Sequence, residues 1–78
     1  MIFEYFKTKK GKTEKSNTII DKQYYIPMRS VDSFFILKED GKFKSLVIKT
    51  LNGTTYSIDN ENTADDFLEM YNKWNKIN

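Results

Sequence analysis

Residues 31–74 read VDSFFILKEDGKFKSLVIKTLNGTTYSIDNENTADDFLEMYNKW, and this stretch decides the fold. Three β-prone runs are separated by Asp40-Gly41 and Asn52-Gly53, dipeptides that supply the left-handed backbone of tight turns. A pattern of helical period follows the third run. Two linked hairpins and one helix are therefore predicted.

Alternation of side chains sets the register of each hairpin. A two-residue turn at Asn52-Gly53 would put Leu46 and Ile48 on one face with Thr55 and Ser57. A three-residue loop Leu51-Asn52-Gly53, with Gly53 left-handed in a bulge, instead pairs Leu46 with Ile58 and Ile48 with Tyr56. Only the second choice makes one face apolar, and a buried face fixes register. In the first hairpin a tight Asp40-Gly41 turn pairs Phe35 with Leu46 and Leu37 with Lys44. Val31, Phe35 and Leu37 then join the core face, while Phe34, Ile36, Phe43 and Val47 form a second apolar face.

The helix is predicted over about residues 63–77. Ala64, Phe67, Leu68, Tyr71 and Trp74 fall on one stripe of a 3.6-residue period, flanked by Met70 and Ile77. Asn62 or Thr63 can cap it, with Asp65 or Asp66 reaching back as a capping box. Acids early and lysines late suit the helix dipole, and Glu69 and Lys73 form an i, i+4 pair. The expected core is Val31, Phe35, Leu37, Leu46, Ile48, Tyr56, Ile58, Phe67, Leu68, Tyr71 and Trp74.

Working outward, Ile2–Lys7 (IFEYFK) is β-prone, with Phe3 and Tyr5 on one side and Ile2, Glu4 and Phe6 on the other. Residues 8–17 (TKKGKTEKSN) hold no apolar side chain and read as an exposed, flexible basic loop. Thr18–Ile26 (TIIDKQYYI) is β-prone again, and Pro27 ends it because Pro cannot donate to a ladder.

Composition narrows the chemistry. Seventy-eight residues make one domain, 1–78, near the lower size limit for an unstapled core. There is no Cys to form a disulfide or bind a metal, and no His to serve as ligand or general base. Twelve aromatic residues offer large buried areas instead. No apolar run approaches the length of a membrane span. The order of charges in MIFEYFKTKK is wrong for a secretory signal, so a cytoplasmic protein is the expectation. Net charge is +2, but residues 1–49 carry eleven basic against six acidic side chains, and residues 50–78 two against five.

Few residues suggest catalysis. Asp40 is a turn residue, and Asp59, Glu61, Asp65 and Asp66 gather where a helix begins, so structural roles account for them. Asp59, Asn60 and Glu61 lack the spaced acids, central Gly and terminal Glu of a calcium loop. No Gly-x-Ser-x-Gly, Ser-x-x-Lys or phosphate-cradling loop occurs. The expectation is no enzyme, no cofactor and no metal site.

Two surfaces remain as candidate binding sites. Phe34, Ile36, Phe43 and Val47 are either covered by the strands from residues 2–7 and 18–26, or left open for a protein partner or a second copy of the chain. Lys7, Lys9, Lys10, Lys12 and Lys15 could follow a nucleic-acid backbone, with Tyr24 and Tyr25 as stacking platforms. The bland alternative is a solvated loop, and Arg29 is the only arginine available to read bases.

The VDSFFI, KSLVIKT and TTYSI strands, with a helix through Phe67, Leu68, Tyr71 and Trp74, resemble the second half of a pleckstrin-homology-like domain. The resemblance covers roughly residues 26–76 and rests on the order of elements, with no diagnostic motif. It implies a module that binds peptides, proteins or lipid head groups and is rarely an enzyme. Such domains have more strands than the about five for which this chain has room. Size and a Lys-, Asn- and Ile-rich composition also resemble those of small phage or mobile-element proteins that inhibit a host factor.

The expected fold is α+β: an antiparallel sheet of four to five strands, a partial barrel or two layers, packed by one C-terminal amphipathic helix. The expected function is a small non-enzymatic protein-binding module, an inhibitor in the phage-like reading. The alternative is a nucleic-acid-binding accessory protein using the lysine loop 7–15.

Overall fold

A computed structural model describes residues 1–10 and 19–77. Strands β1 (Ile2–Lys10) and β2 (Ile19–Pro27) form one antiparallel sheet. Strands β3 (Val31–Glu39), β4 (Lys42–Thr50) and β5 (Thr55–Ile58) form a second, in that order, and helix α1 (Glu61–Ile77) follows. The fold is α+β, as the sequence predicts.

Pairing of β1 with β2 runs without a break from Ile2 opposite Pro27 to Lys10 opposite Ile19. Thr8, Lys9 and Lys10, expected in the loop over 8–17, therefore belong to a strand, because the cross-strand ladder continues past the last aromatic. The rest of that expected loop lies outside the described residues. Pro27 ends β2 as anticipated, and a 3-10 turn at Met28–Ser30 carries the chain into the second sheet. That corner is tied on both sides. Met28 N–H donates to Met1 C=O at 2.9 Å, Leu51 N–H to Ser30 C=O at 2.8 Å, and Ser30 Oγ to Pro27 C=O at 2.7 Å.

The second hairpin of the central unit has the register that burial required. Leu46 pairs with Ile58 and Ile48 with Tyr56, around a Leu51-Asn52-Gly53 loop. Gly53 sits at φ +89°, where a side chain would strain the backbone. Asn52 Oδ1 accepts from Thr54 N–H at 3.1 Å and from the Thr50 hydroxyl, which holds the loop closed from within.

The first hairpin departs from expectation. Its turn is tight, with Asp40 at φ 52° and Gly41 at φ 76°, as a type I′ turn requires. Past the turn, however, Lys38 pairs with Phe43 while Leu37 pairs with Ser45, so Lys44 is an extra, bulged residue. Ile36, not Phe35, then lies opposite Leu46, and Phe34 lies opposite Ile48. A slip of one residue exchanges the two faces of a strand. Phe34 and Phe43 consequently turn toward the core, whereas Phe35 and Leu37, expected inside, are 45% and 43% exposed. A second bulge at Asp32 lets Val31 and Phe34, three positions apart, face the same core.

Helix α1 begins two residues earlier than expected. Asn60, not Asn62 or Thr63, is its cap, because Asn60 Oδ1 accepts from Thr63 N–H at 3.0 Å. Ala64 and Phe67 are buried, with Leu68, Met70, Tyr71 and Trp74 half-buried along the same stripe. Glu69 and Lys73 meet at 3.4 Å, an exposed pair worth a few tenths of a kcal/mol.

Helix and N-terminal hairpin cover the same side of the three-stranded sheet. Phe67 stands at the junction. Its ring meets Phe3 edge-on at 5.3 Å and Phe34 edge-on at 5.5 Å, and stacks near Tyr71 at 6.2 Å. Tyr24 stacks on Tyr5 at 5.0 Å and meets Tyr56 edge-on at 5.9 Å, joining the hairpin to β5. The buried core is Phe3, Tyr5, Ile26, Met28, Leu46, Ile48, Ile58, Ala64 and Phe67. Phe3, Tyr5, Ile26 and Met28 join the core expected from the central unit because the N-terminal hairpin and the corner after it fold over that unit.

Candidate docking surfaces

The exposed side of the three-stranded sheet takes its chemistry from the shifted register. Phe35 on β3 lies opposite Val47 on β4, and Leu37 lies opposite the buried Ser45. A small Ser between larger neighbours leaves Phe35, Leu37 and the half-buried Val47 as one apolar surface. The four residues expected to share a second apolar face, covered or open, are therefore split. Phe34 and Phe43 pack into the core, Val47 lies on the outer side, and Ile36 follows Phe34's side but remains 42% exposed. The clue in the sequence was the count of large apolar residues on both sides of β3; nothing there selects which side is outside.

A second apolar set lies on the outer face of the N-terminal hairpin. Ile2, Phe6 and Tyr25 are 55%, 67% and 53% exposed, Ile2 and Phe6 on the side of β1 away from the buried Phe3 and Tyr5. Glu4 opposite Tyr25 and Gln23 opposite Phe6 break up that surface. On the sheet face at Phe35 the apolar positions Phe35, Leu37 and Val47 adjoin one another, with Ser45 opposite Leu37 and Ser57 opposite Val47.

Tyr24 and Tyr25, the two expected stacking platforms, lie on opposite sides of β2. Tyr24 faces inward onto Tyr5 and Tyr56, and Tyr25 points to the opposite side of β2. Lys7 faces the body of the protein, where Nζ lies 3.9 Å from Asp59 Oδ2 and donates to Ser57 C=O at 3.4 Å. Lys9 and Lys10 take strand positions opposite Ile20 and Ile19. Lys12 and Lys15 lie outside the described residues.

An open cleft of about 300 Å³ lies between β1, β5 and the start of α1, lined by Tyr5, Phe6, Lys7, Ser57, Ile58, Asp59, Asn60 and Thr63. Its polar groups engage one another: Ser57 Oγ donates to Asp59 Oδ1 at 3.4 Å, and Asp59 also faces Lys7. Burial pushes the Tyr5 phenol up from 10.0 to about 12, and Tyr24, Tyr56 and Asp59 add repulsion against its phenolate. The unfolded chain thus loses this proton first, and between about pH 10 and 12 it binds fewer protons than the folded chain. Stability is fully present below pH 10 and falls above it, by at most about 1.4 kcal/mol per pH unit. In urea titrations between pH 9 and 12, Tyr5→Phe is expected to flatten that slope.

Among the described residues no helix is long and apolar enough to cross a membrane, and no three His, Cys, Asp or Glu gather as a metal site. No protein-family model matches this chain, and no curated protein or solved structure shows significant similarity to it.

Proposed function

We propose that the chain is a non-enzymatic protein-binding module that docks its partner on the outer face of the three-stranded sheet. One observation carries this reading. Phe35 and Leu37 are nearly half exposed although the same strand could have buried them with a different register. Exposed large apolar side chains gathered on one sheet face mark interaction surfaces. An inhibitor or adaptor of a host protein, the role suggested by size and composition, needs only such a surface. On the side of the nucleic-acid reading, Tyr24 packs on Tyr5 while Tyr25 faces the other side of β2, and the exposed Lys7 Nζ lies 3.9 Å from Asp59.

The test compares the protein with a Phe35→Ser/Leu37→Ser variant as baits in a source-cell lysate, with and without nuclease. Both positions are exposed, so the melting temperature of the variant should stay close to that of the parent. The expected result is a stoichiometric protein that survives nuclease and about 300 mM salt, and that the variant fails to retain. Equal capture by both baits, or recovery of nucleic acid that falls away steeply with salt, overturns the proposal.

A further inference from the structure

Strand β3 is an edge of its sheet, paired only with β4 among the described residues. Natural edge strands are protected by charges, prolines or bulges, because their unpaired N–H and C=O groups recruit other strands. Here those devices sit only at the ends, with bulges near Asp32 and Lys44 and charges at Asp32, Lys38 and Glu39. Between them, Phe34-Phe35-Ile36-Leu37 presents a regular apolar edge.

We propose that this edge pairs with the same edge of a second copy of the chain, antiparallel about a two-fold axis through Phe35. The two three-stranded sheets would then continue as one sheet of six. The inference does not rest on the partner reading above: it uses the backbone edge of β3, and of the outer face it brings only Phe35 against its own copy.

The choice of partner and register comes from complementarity. A two-fold axis perpendicular to the sheet keeps every side chain on its own face, so it must pass through a residue. Centred on Phe34, the pairing sets Asp32 against Ile36. Centred on Ile36, it sets Asp32 against Asp40 and Phe34 against Lys38. Centred on Leu37, it sets Phe35 against Glu39. Centred on Phe35, it sets Phe35 against Phe35, Phe34 against Ile36, and Asp32 against Lys38 at both ends. Ser33 meets Leu37 in the last register, which within residues 32–38 is the one that sets acid against base and no charge against an apolar side chain, whereas like charges directly opposite one another are destabilising. Asp32 and Lys38 are exposed and take part in none of the ion pairs among the described residues. Asp32 is also the bulged residue without a partner on β4, and the Lys38 stem is long enough to meet it.

Sedimentation equilibrium tests this on the full chain and on Asp32→Lys and Lys38→Asp variants. A seam this short implies a dissociation constant on the order of 10–100 µM, so the parent should approach twice its 9.3 kDa mass near 1 mM. Each single variant places like charges opposite one another twice, and its self-association should weaken at least about tenfold. An equimolar mixture of the two restores both opposite-charge pairs and should dimerise as the parent does, as should the doubly reversed chain. Neither substitution alters the outer apolar face, so loss of the dimer and loss of partner capture are read separately. A parent that stays monomeric, single variants that associate as tightly as the parent, or a mixture and a double variant no tighter than the single variants would each overturn the proposal.

Discussion

Phe67→Ala lowers the unfolding free energy by about 3–5 kcal/mol, the usual cost of removing a fully buried aromatic ring. Phe67 has no exposed surface, and it is the point at which helix, hairpin and sheet meet through Phe3, Phe34 and Tyr71. Collapse into the vacated space would need all three elements to move, which places this site at the costly end of the range. A domain of this size has little reserve above that figure. Equilibrium urea unfolding checks the value. A change below about 1 kcal/mol would show that the ring is not the junction described here. Trp74→Ala makes the comparison, because Trp74 is only half-buried near the far end of the stripe and its loss should cost less.

The parts of this fold that were legible in the sequence are those where one side of an element is clearly polar. In α1, Asp65, Asp66, Glu69 and Lys73 leave only the stripe through Phe67 and Tyr71 to be buried. At the Asn52-Gly53 loop, the rival register would have buried Thr55 and Ser57, and Gly53 permits the bulged alternative. Strand β3 offered no such contrast. Phe34 and Ile36 on one side and Phe35 and Leu37 on the other are equally apolar, so alternation could not choose. Packing made the choice: Phe34 finds Phe67 at 5.5 Å and Tyr71 at 4.8 Å, edge-on contacts that stabilise beyond the area they bury. The helix that supplies those rings lies about thirty residues further along the chain. The same ambiguity hid the candidate site, because the residues that leave the core are the ones that become the exposed face.

Deletion of Lys44 should leave the pairing of β3 with β4 and the choice of buried face unchanged. Lys44 is exposed and makes one cross-strand ion pair, 3.4 Å from Glu39, with both side chains well solvated. Such a pair contributes between nothing and about 1 kcal/mol, so Lys44→Ala should leave stability nearly unchanged. Its backbone is the extra residue between Phe43, opposite Lys38, and Ser45, opposite Leu37. Without it, an unbroken ladder from the Asp40-Gly41 turn runs from Lys38 and Phe43 straight on to Leu37 opposite Ser45, Ile36 opposite Leu46 and Phe35 opposite Val47, the pairs already present. Phe34 then keeps its contacts with Phe67 and Tyr71, and Phe35 and Leu37 stay outside. Urea unfolding of both variants checks this, and each should lie within about 1 kcal/mol of the parent. A deletion that cost about 3 kcal/mol or more would mean that the kink of the bulge, and not only the phase it sets, is needed to seat Phe34 in the core.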